Sequence, residues 1–425
     1  MRAPLAGIHL PLRRITRWFD GTISRRVRWG TFGVGAIVLT LGALMALTSF
    51  SSRGPRHLHV FGTFWASGYA ASHHLNPYGP YDLSYRFEDL AAHTHISLNL
   101  SPPPLLPVFQ FVALFNPESA VRVWTFASLI LFLLSLGLLM MEYGERVQRR
   151  QILWFLLGPA ALDVLMLGQD YALLTFLVVV AWVLFERHRK VGFGIFLGLL
   201  VAAKPNLGLW PIFLAVGGHL RVAKICAVTV LVVGSLPLLF YGPGIYGEWL
   251  HAISNDPHWI FFSDVSLTGF AARLGHRAIG RVLSMLLLAG STAFVFWKRP
   301  SAETSGGIAF CLGLLASPLG WIGYSLFLAP VLLRKRWSTK LTLAIAPLML
   351  PFTVAVIAIN TSHLLGIIAG LFYFLPVCFL LGFFLRTAAA ESRASRESEL
   401  ATKRLRLATA PLLNSDKASS SAPLV

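Results

Sequence analysis

Long apolar runs alternate with short polar, mostly basic, links from about residue 30 to residue 385. The runs fall near 30–50, 120–141, 152–167, 171–185, 191–203, 206–218, 225–241, 281–297, 306–319, 321–333, 341–359 and 364–385. A helix of about 20 apolar residues crosses a ~30 Å hydrocarbon layer, so the pattern predicts about twelve crossings. Several runs are shorter than that and are paired around tight links, Gly168 to Asp170 and Lys204 to Asn206. Two long segments interrupt the alternation, at about 51–120 and 242–280. The first carries Asn76-Pro77-Tyr78, Tyr81-Asp82 and Ser101-Pro102-Pro103-Pro104, then an apolar stretch from Leu105 to Phe115. That stretch is too short to span and predicts a surface-lying or re-entrant helix. The second runs Tyr246-Gly247-Glu248-Trp249 and Asp256-Pro257-His258-Trp259, an aromatic pattern suited to the headgroup level. The fold expected is an all-α polytopic membrane bundle with structured outer loops.

Composition strengthens this reading. The 425 residues are 56% hydrophobic and 13% charged, with a mean hydropathy of +0.67, which leaves no room for a sizeable soluble domain. A net charge of +18 would suit nucleic acid, but the Lys and Arg residues cluster between apolar runs, at 1–29, 146–150, 187–190, 221–224, 298–299, 334–340 and 386–417. Clusters so placed are topology signals and anionic-lipid contacts, and no nucleic-acid partner is expected. The positive-inside rule puts them all in the cytoplasm, with an even number of crossings between each pair. The organisation predicted is a basic cytoplasmic N-terminus at 1–29, a membrane domain at 30–385 and a basic cytoplasmic tail at 386–425, losing structure by Asn414. The run after the N-terminal arginines is longer than a signal-peptide core and is read as an uncleaved first span of a plasma (inner) membrane protein. Cys226, Cys311 and Cys378 lie inside apolar runs without metal or redox spacing.

Polar groups at membrane depth are costly, and each raises a functional question. The predicted topology places nearly all of them at the outer ends of spans. Asp163, Gln169 and Asp170 lie around one turn, Lys204 and Asn206 at the next, Ser317, Trp321 and Tyr324 at a third, and Asn360 and His363 at a fourth, with Asp264, Ser266 and Arg273 following the second outer loop. Lys204 is the one lysine outside the basic clusters, and it needs an anionic partner. Asp170 or Asp163 would give a structural ion pair; a ligand phosphate would give a binding site. One rim thus collects a cation, carboxylates, imidazoles and aromatic rings, as a site for an amphipathic substrate would.

These residues resemble glycosyltransferase family 87, a GT-C type group that uses polyprenyl-phosphate sugars and includes α-1,2-mannosyltransferases. The resemblance runs from about Phe61 to Pro330. It is carried by Phe64-Trp65-Ala66-Ser67-Gly68, Asn76-Pro77-Tyr78, Tyr81-Asp82, Ser101-Pro102-Pro103, Gly168-Gln169, Ala203-Lys204-Pro205, Val265-Ser266-Leu267-Thr268-Gly269 and Ala316-Ser317-Pro318-Leu319-Gly320-Trp321. The resemblance implies a GT-C-like bundle that moves a hexose, mannose-like, from a polyprenyl monophosphate to a lipid or glycan hydroxyl on the extracytoplasmic face. Inversion at the anomeric carbon is implied, with no nucleotide, other cofactor or obligatory metal. Substrate contacts are expected from Lys204, Gln169, Asp170, Trp321, Tyr324 and Ser266.

Three positions depart from the family pattern. Where the family opens its first outer loop with an Asp, this chain has Val60; where it tends to carry a His after the Ser-Pro Trp, this chain has Gly323 and Tyr324; where it has an Asn after Gly-Gln, this chain has Tyr171. Valine cannot accept a proton. Either another group serves as base, with His57 and His59 flanking the place and Asp82 in the same loop, or the chain keeps the lipid-binding rim without the transfer. A lipid or solute transporter is the reading from another class, although transporters often show internal repeats and midplane polar groups that this sequence lacks.

Overall fold

The computed structural model describes residues 24–52, 58–88, 94–255, 261, 263–351, 354, 357 and 362–419. Among these, helices run in the order α1 (Arg25–Ser52), α2 (His59–Ser72), α3 (Leu106–Ala113), α4 (Pro117–Tyr143), α5 (Arg149–Leu157), α6 (Pro159–Leu167), α7 (Tyr171–Glu186), α8 (Lys190–Ala203) and α9 (Leu209–Val216). They continue as α10 (Leu220–Tyr241), α11 (Ile245–Ser254), α12 (Leu267–Arg273), α13 (Arg277–Lys298), α14 (Ala302–Leu315), α15 (Ala329–Arg334), α16 (Thr339–Ile345) and α17 (His363–Ser419). A small antiparallel hairpin, β1 (Arg86–Glu88) on β2 (Thr94–Ile96), decorates the first outer segment.

Six helical stretches are long and apolar enough to cross a membrane: Arg25–Thr48, Pro117–Arg146, Arg149–Leu167, Leu220–Tyr241, Arg277–Lys298 and Leu364–Thr402. The other apolar runs form shorter helices at Tyr171–Glu186, Lys190–Ala203, Pro205–Val216, Ala302–Leu315, Ile322–Arg334 and Thr339–Met349. None of these covers a ~30 Å layer alone as a straight helix, so among the described residues length and composition match six of the about twelve crossings expected. Of the short helices, α14 is the most enclosed, buried along nearly its entire length and packed on α9 and α17.

Local sequence explains several boundaries. Helix α4 starts where Asn116 accepts a hydrogen bond from Ser119 N (2.9 Å), with Pro117 at the first helical position and Glu118 in the first turn. The span Arg149–Leu167 is broken at Gly158-Pro159, because proline supplies no amide to continue α5 and is at home in the first turn of α6. Helix α17 is continuous to Ser419, past the point where composition predicts loss of structure.

Among the described residues, the links around 142–151, 186–187, 301–304, 332–337 and Glu391 meet at one end of the bundle. Gln151 Nε2 donates to Leu332 O (2.8 Å) and Lys335 O (2.7 Å), while Gln148 Oε1 accepts from Trp337 N (2.9 Å). Arg187 pairs with Glu142 (2.9 Å), and Arg334 pairs with Glu186 (3.1 Å) and with Glu303. At the same end Glu391 of α17 caps α14, accepting from Ser301 N (2.9 Å), Ser301 Oγ (3.0 Å) and Thr304 Oγ1 (2.7 Å). The opposite end carries the Gly168–Asp170 and Lys204–Asn206 turns and both outer segments.

The first outer segment is built around α2, a short helix that the aromatic and small-residue composition did not reveal. Its small residues admit neighbouring backbone: a Cβ on Gly62 would stand 2.3 Å from Leu83 O, and one on Gly68 would stand 2.1 Å from Phe109 O. Its hydroxyls hold the loops. Thr63 Oγ1 donates to Ser97 O (3.3 Å) and accepts from Tyr85 N (3.0 Å); Ser67 Oγ donates to Pro77 O (2.5 Å) and accepts from Asn99 Nδ2 (2.7 Å). The expected short helix after the proline run is present as α3, packed on α2, with Phe64 and Phe109 rings stacked at 4.7 Å.

Candidate active site

The rim is assembled around the turn between α6 and α7. Gly168 adopts a left-handed conformation (φ +66°) that ends α6, and its carbonyl accepts from Trp124 Nε1 (3.0 Å). A Cβ there would meet Phe61 Cβ at 2.6 Å, so α2 is seated directly on this turn. Gln169 and Asp170 follow, both buried, and Asp170 Oδ2 has no hydrogen-bond partner among the described residues.

Lys204 ends α8 and is half-buried. Its Nζ lies 5.3 Å from the centroid of the Tyr171 ring and 4.9 Å from that of Tyr324, and the two rings meet edge to face at 4.8 Å. Tyr324 stacks in turn on Phe327 at 5.5 Å. Asp170 lies within electrostatic reach of the ammonium, yet Lys204 forms no ion pair within 4.0 Å among the described residues. A cation held by ring faces and a more distant carboxylate keeps its N–H donors available to a ligand.

Trp321 and Ser266 belong to a clasp beside this cation. The backbone around Asp264 pairs with that around Trp321, through Val265 N to Gly320 O (2.8 Å) and Ile322 N to Ser263 O (3.1 Å). Asp264 Oδ1 accepts from both Ser266 N and Gly320 N, each at 2.9 Å. The carboxylate presses on Gly269, where a Cβ would stand 2.1 Å from Oδ2, and Ser266 Oγ caps α12 by accepting from Gly269 N (2.9 Å). Arg273 closes the clasp by donating to Asp264 O (2.8 Å) and Phe261 O (2.5 Å). Burial pushes the Asp264 carboxyl above its usual range against the pull of these donors, and lowers the Arg273 guanidinium to about 10. Trp321 is half-buried, with its ring 5.1 Å from that of Phe261.

Two further candidates, His59 and Asp82, belong to the first long segment. His59 is the first residue of α2, in a left-handed conformation (φ +50°), with its ring 5.4 Å from that of Tyr85. Burial first, and then the nearby Asp163 charge, raise the Tyr85 phenol above its ordinary value. Asp82 is exposed in a turn, and Val60 is packed against the core beside His59. His57, Asn360 and the side chain of His363 lie outside the described residues. Sequence reasoning underrated Tyr171 and Tyr85: aromatic rings at span ends read as ordinary interface residues, and only their packing shows that they bracket charged groups.

A family model for glycosyltransferase family 87 matches residues 99–318. The chain belongs to glycosyltransferase family 87. The match begins at Asn99, so α2 and Val60 precede it; the Lys204 turn and the Asp264–Arg273 half of the clasp lie inside it, while Gly320, Trp321 and Ile322 of the other half follow it. No curated protein and no solved structure shows detectable similarity to the chain. The structure gives the family's motifs a physical content. The Val265–Gly269 and Ala316–Trp321 stretches are the two halves of one clasp, and the Ala203-Lys204-Pro205 stretch delivers the cation beside it. Among the described residues no cluster of His, Cys, Asp and Glu is built to hold a metal ion.

Proposed function

We propose that this glycosyltransferase moves a hexose, mannose-like, from a polyprenyl-phosphate carrier to a hydroxyl of a lipid or glycan acceptor, with inversion, on the extracytoplasmic face of the plasma (inner) membrane. The observation that carries the reading is Lys204. It is a cation without an ion pair within 4.0 Å among the described residues, framed by Tyr171 and Tyr324 at the end of short apolar helices of the bundle. A polyprenyl phosphate matches that surrounding: its chain stays in lipid and its phosphate meets the ammonium. Gln169, Asp170 and Trp321 line the approach to the sugar, and Ser266 holds the clasp that positions Trp321. In the reaction the acceptor oxygen attacks the anomeric carbon while the bond to the phosphate oxygen breaks. The leaving phosphate gathers charge, which Lys204 stabilises more in the transition state than in the bound carrier. Both termini, with the basic clusters, face the cytoplasm under the positive-inside rule.

The test is transfer by purified protein in lipid nanodiscs supplied with radiolabelled polyprenyl-phosphate hexoses and a lipid extract. Transfer that falls at least ~100-fold in Lys204→Ala supports the reading. Binding of the carrier without transfer, in wild type, would instead favour a relative that keeps the rim but not the chemistry, the reading to which Val60 points.

A further inference from the structure

Three carboxylates are buried at the rim among the described residues, and one of them is already committed. Asp264 spends Oδ1 on two backbone amides and is pressed against Gly269. Asp170 lies within electrostatic reach of Lys204, the cation proposed to hold the phosphate, and its Oδ2 has no hydrogen-bond partner among the described residues. Asp163, on α6 one turn before Gly168, differs from Asp264 in making no hydrogen bond or ion pair among the described residues, and from Asp170 in having no cation acting on it; it is 6% exposed. What surrounds it are phenols, for Tyr85, Tyr171 and Tyr373 all lie within reach of its charge. The Tyr373 hydroxyl is occupied, donating to Leu350 O (2.8 Å). A buried carboxylate with no partner is costly to a helix in a membrane and is a functional candidate on that ground.

Its placement matters as much as its isolation. Tyr171 has the Lys204 ammonium over its ring and Asp163 within electrostatic reach, so phosphate cation and free carboxylate share one aromatic neighbour. Tyr85 links Asp163 to His59, the residue beside Val60. A phosphate at Lys204 and the carboxylate of Asp163 therefore both lie in the surroundings of the Tyr171 ring, the arrangement that a donor sugar between them would need.

We propose that Asp163 is the general base of the transfer, supplying from α6 the carboxylate that Val60 cannot supply from α2. This rests on the hexosyl transfer proposed above. The acceptor O–H proton passes to a carboxylate oxygen of Asp163 as the acceptor oxygen bonds to the anomeric carbon. The carbon–oxygen bond to phosphate breaks, and its electron pair leaves with the polyprenyl monophosphate. The protonated Asp163 then returns its proton to solvent.

The experiment compares wild type, Asp163→Asn and Asp163→Glu in nanodiscs, measuring transfer from a radiolabelled polyprenyl-phosphate hexose, its pH profile, and binding of unlabelled polyprenyl phosphate. Asp163→Asn preserves shape, and is expected to lose ~100-fold or more in kcat while binding polyprenyl phosphate within about threefold of wild type. Asp163→Glu keeps partial activity with the rising limb of its pH profile displaced. Transfer by Asp163→Asn within threefold of wild type overturns the proposal, as does an unmoved pH profile in Asp163→Glu. Loss of polyprenyl-phosphate binding together with transfer in Asp163→Asn also overturns it, by showing a structural role. Wild-type protein that transfers nothing from any carrier overturns the transfer reading itself, and this inference with it.

Discussion

The ring of Tyr171 occupies the space in which a side chain at position 323 would stand: a Cβ on Gly323 would lie 2.5 Å from Tyr171 Cδ2 and 3.3 Å from Val164 Cγ2. Two departures from the family pattern, a tyrosine where an asparagine is usual and a glycine near where a histidine is usual, are therefore one packing solution. Gly323→Ala alone is expected to cost about 1–3 kcal/mol by overpacking, and Gly323→His more. Adding Tyr171→Asn should recover much of the loss, by opening the space. Thermal unfolding of the single and double variants in detergent checks this; additive losses would show that the two positions are independent.

The cage around Lys204 makes a second prediction. Tyr324→Phe keeps the ring face below the ammonium, whereas Tyr324→Leu removes it. A cation–π contact in a partly desolvated site contributes ~1–2 kcal/mol. Polyprenyl-phosphate binding or transfer is expected to fall roughly tenfold in Tyr324→Leu and to change little in Tyr324→Phe. Equal losses in both variants would assign the effect to the hydroxyl.

The clasp is tested through its carboxylate. Asp264→Ala leaves Ser266 N and Gly320 N without their acceptor in a buried place, at a cost of about 1–3 kcal/mol for each unsatisfied group. Gly269→Ala drives a methyl into the same carboxylate. Both variants should yield protein of lowered thermal stability, read by fluorescence-detected size exclusion after heating, and a combined Asp264→Ala and Gly269→Ala variant should lose less than the sum.

Orientation is open to direct measurement. A cysteine in place of exposed Ser72, at the end of α2, should react in intact cells with a membrane-impermeant maleimide. One in place of exposed Arg189 should react only after permeabilisation. The opposite pattern would invert the proposed topology.

Much of this architecture was legible in the sequence. Hydrophobic runs located the helices because lipid exposure demands apolar side chains over a full crossing, and the basic clusters foretold which links would gather, as Gln148, Gln151 and Arg187 now show by their partners. What the pattern could not separate was a crossing from a shorter buried helix, since α14, enclosed by protein on every side, is as apolar as a lipid-facing span. Helix α2 escaped because its signal lies in small residues that admit backbone rather than in a hydrophobic stripe. At the site, Lys204 stood out by its cost. Its aromatic cage did not, because a ring's face becomes an acceptor only through tertiary packing.

The Glu391 cap on α14 carries a consequence for biosynthesis. Helix α14 leaves the ribosome with the amide of Ser301 and the hydroxyl of Thr304 lacking the acceptor that holds them in the finished fold. That acceptor arrives ninety residues later in the case of Ser301, after α15, α16 and the membrane portion of α17 have been made. The central helix of the bundle, capped locally by Ser301 Oγ accepting from Thr304 N (3.3 Å), thus gains its second layer of acceptors only when a late-made part of the chain arrives.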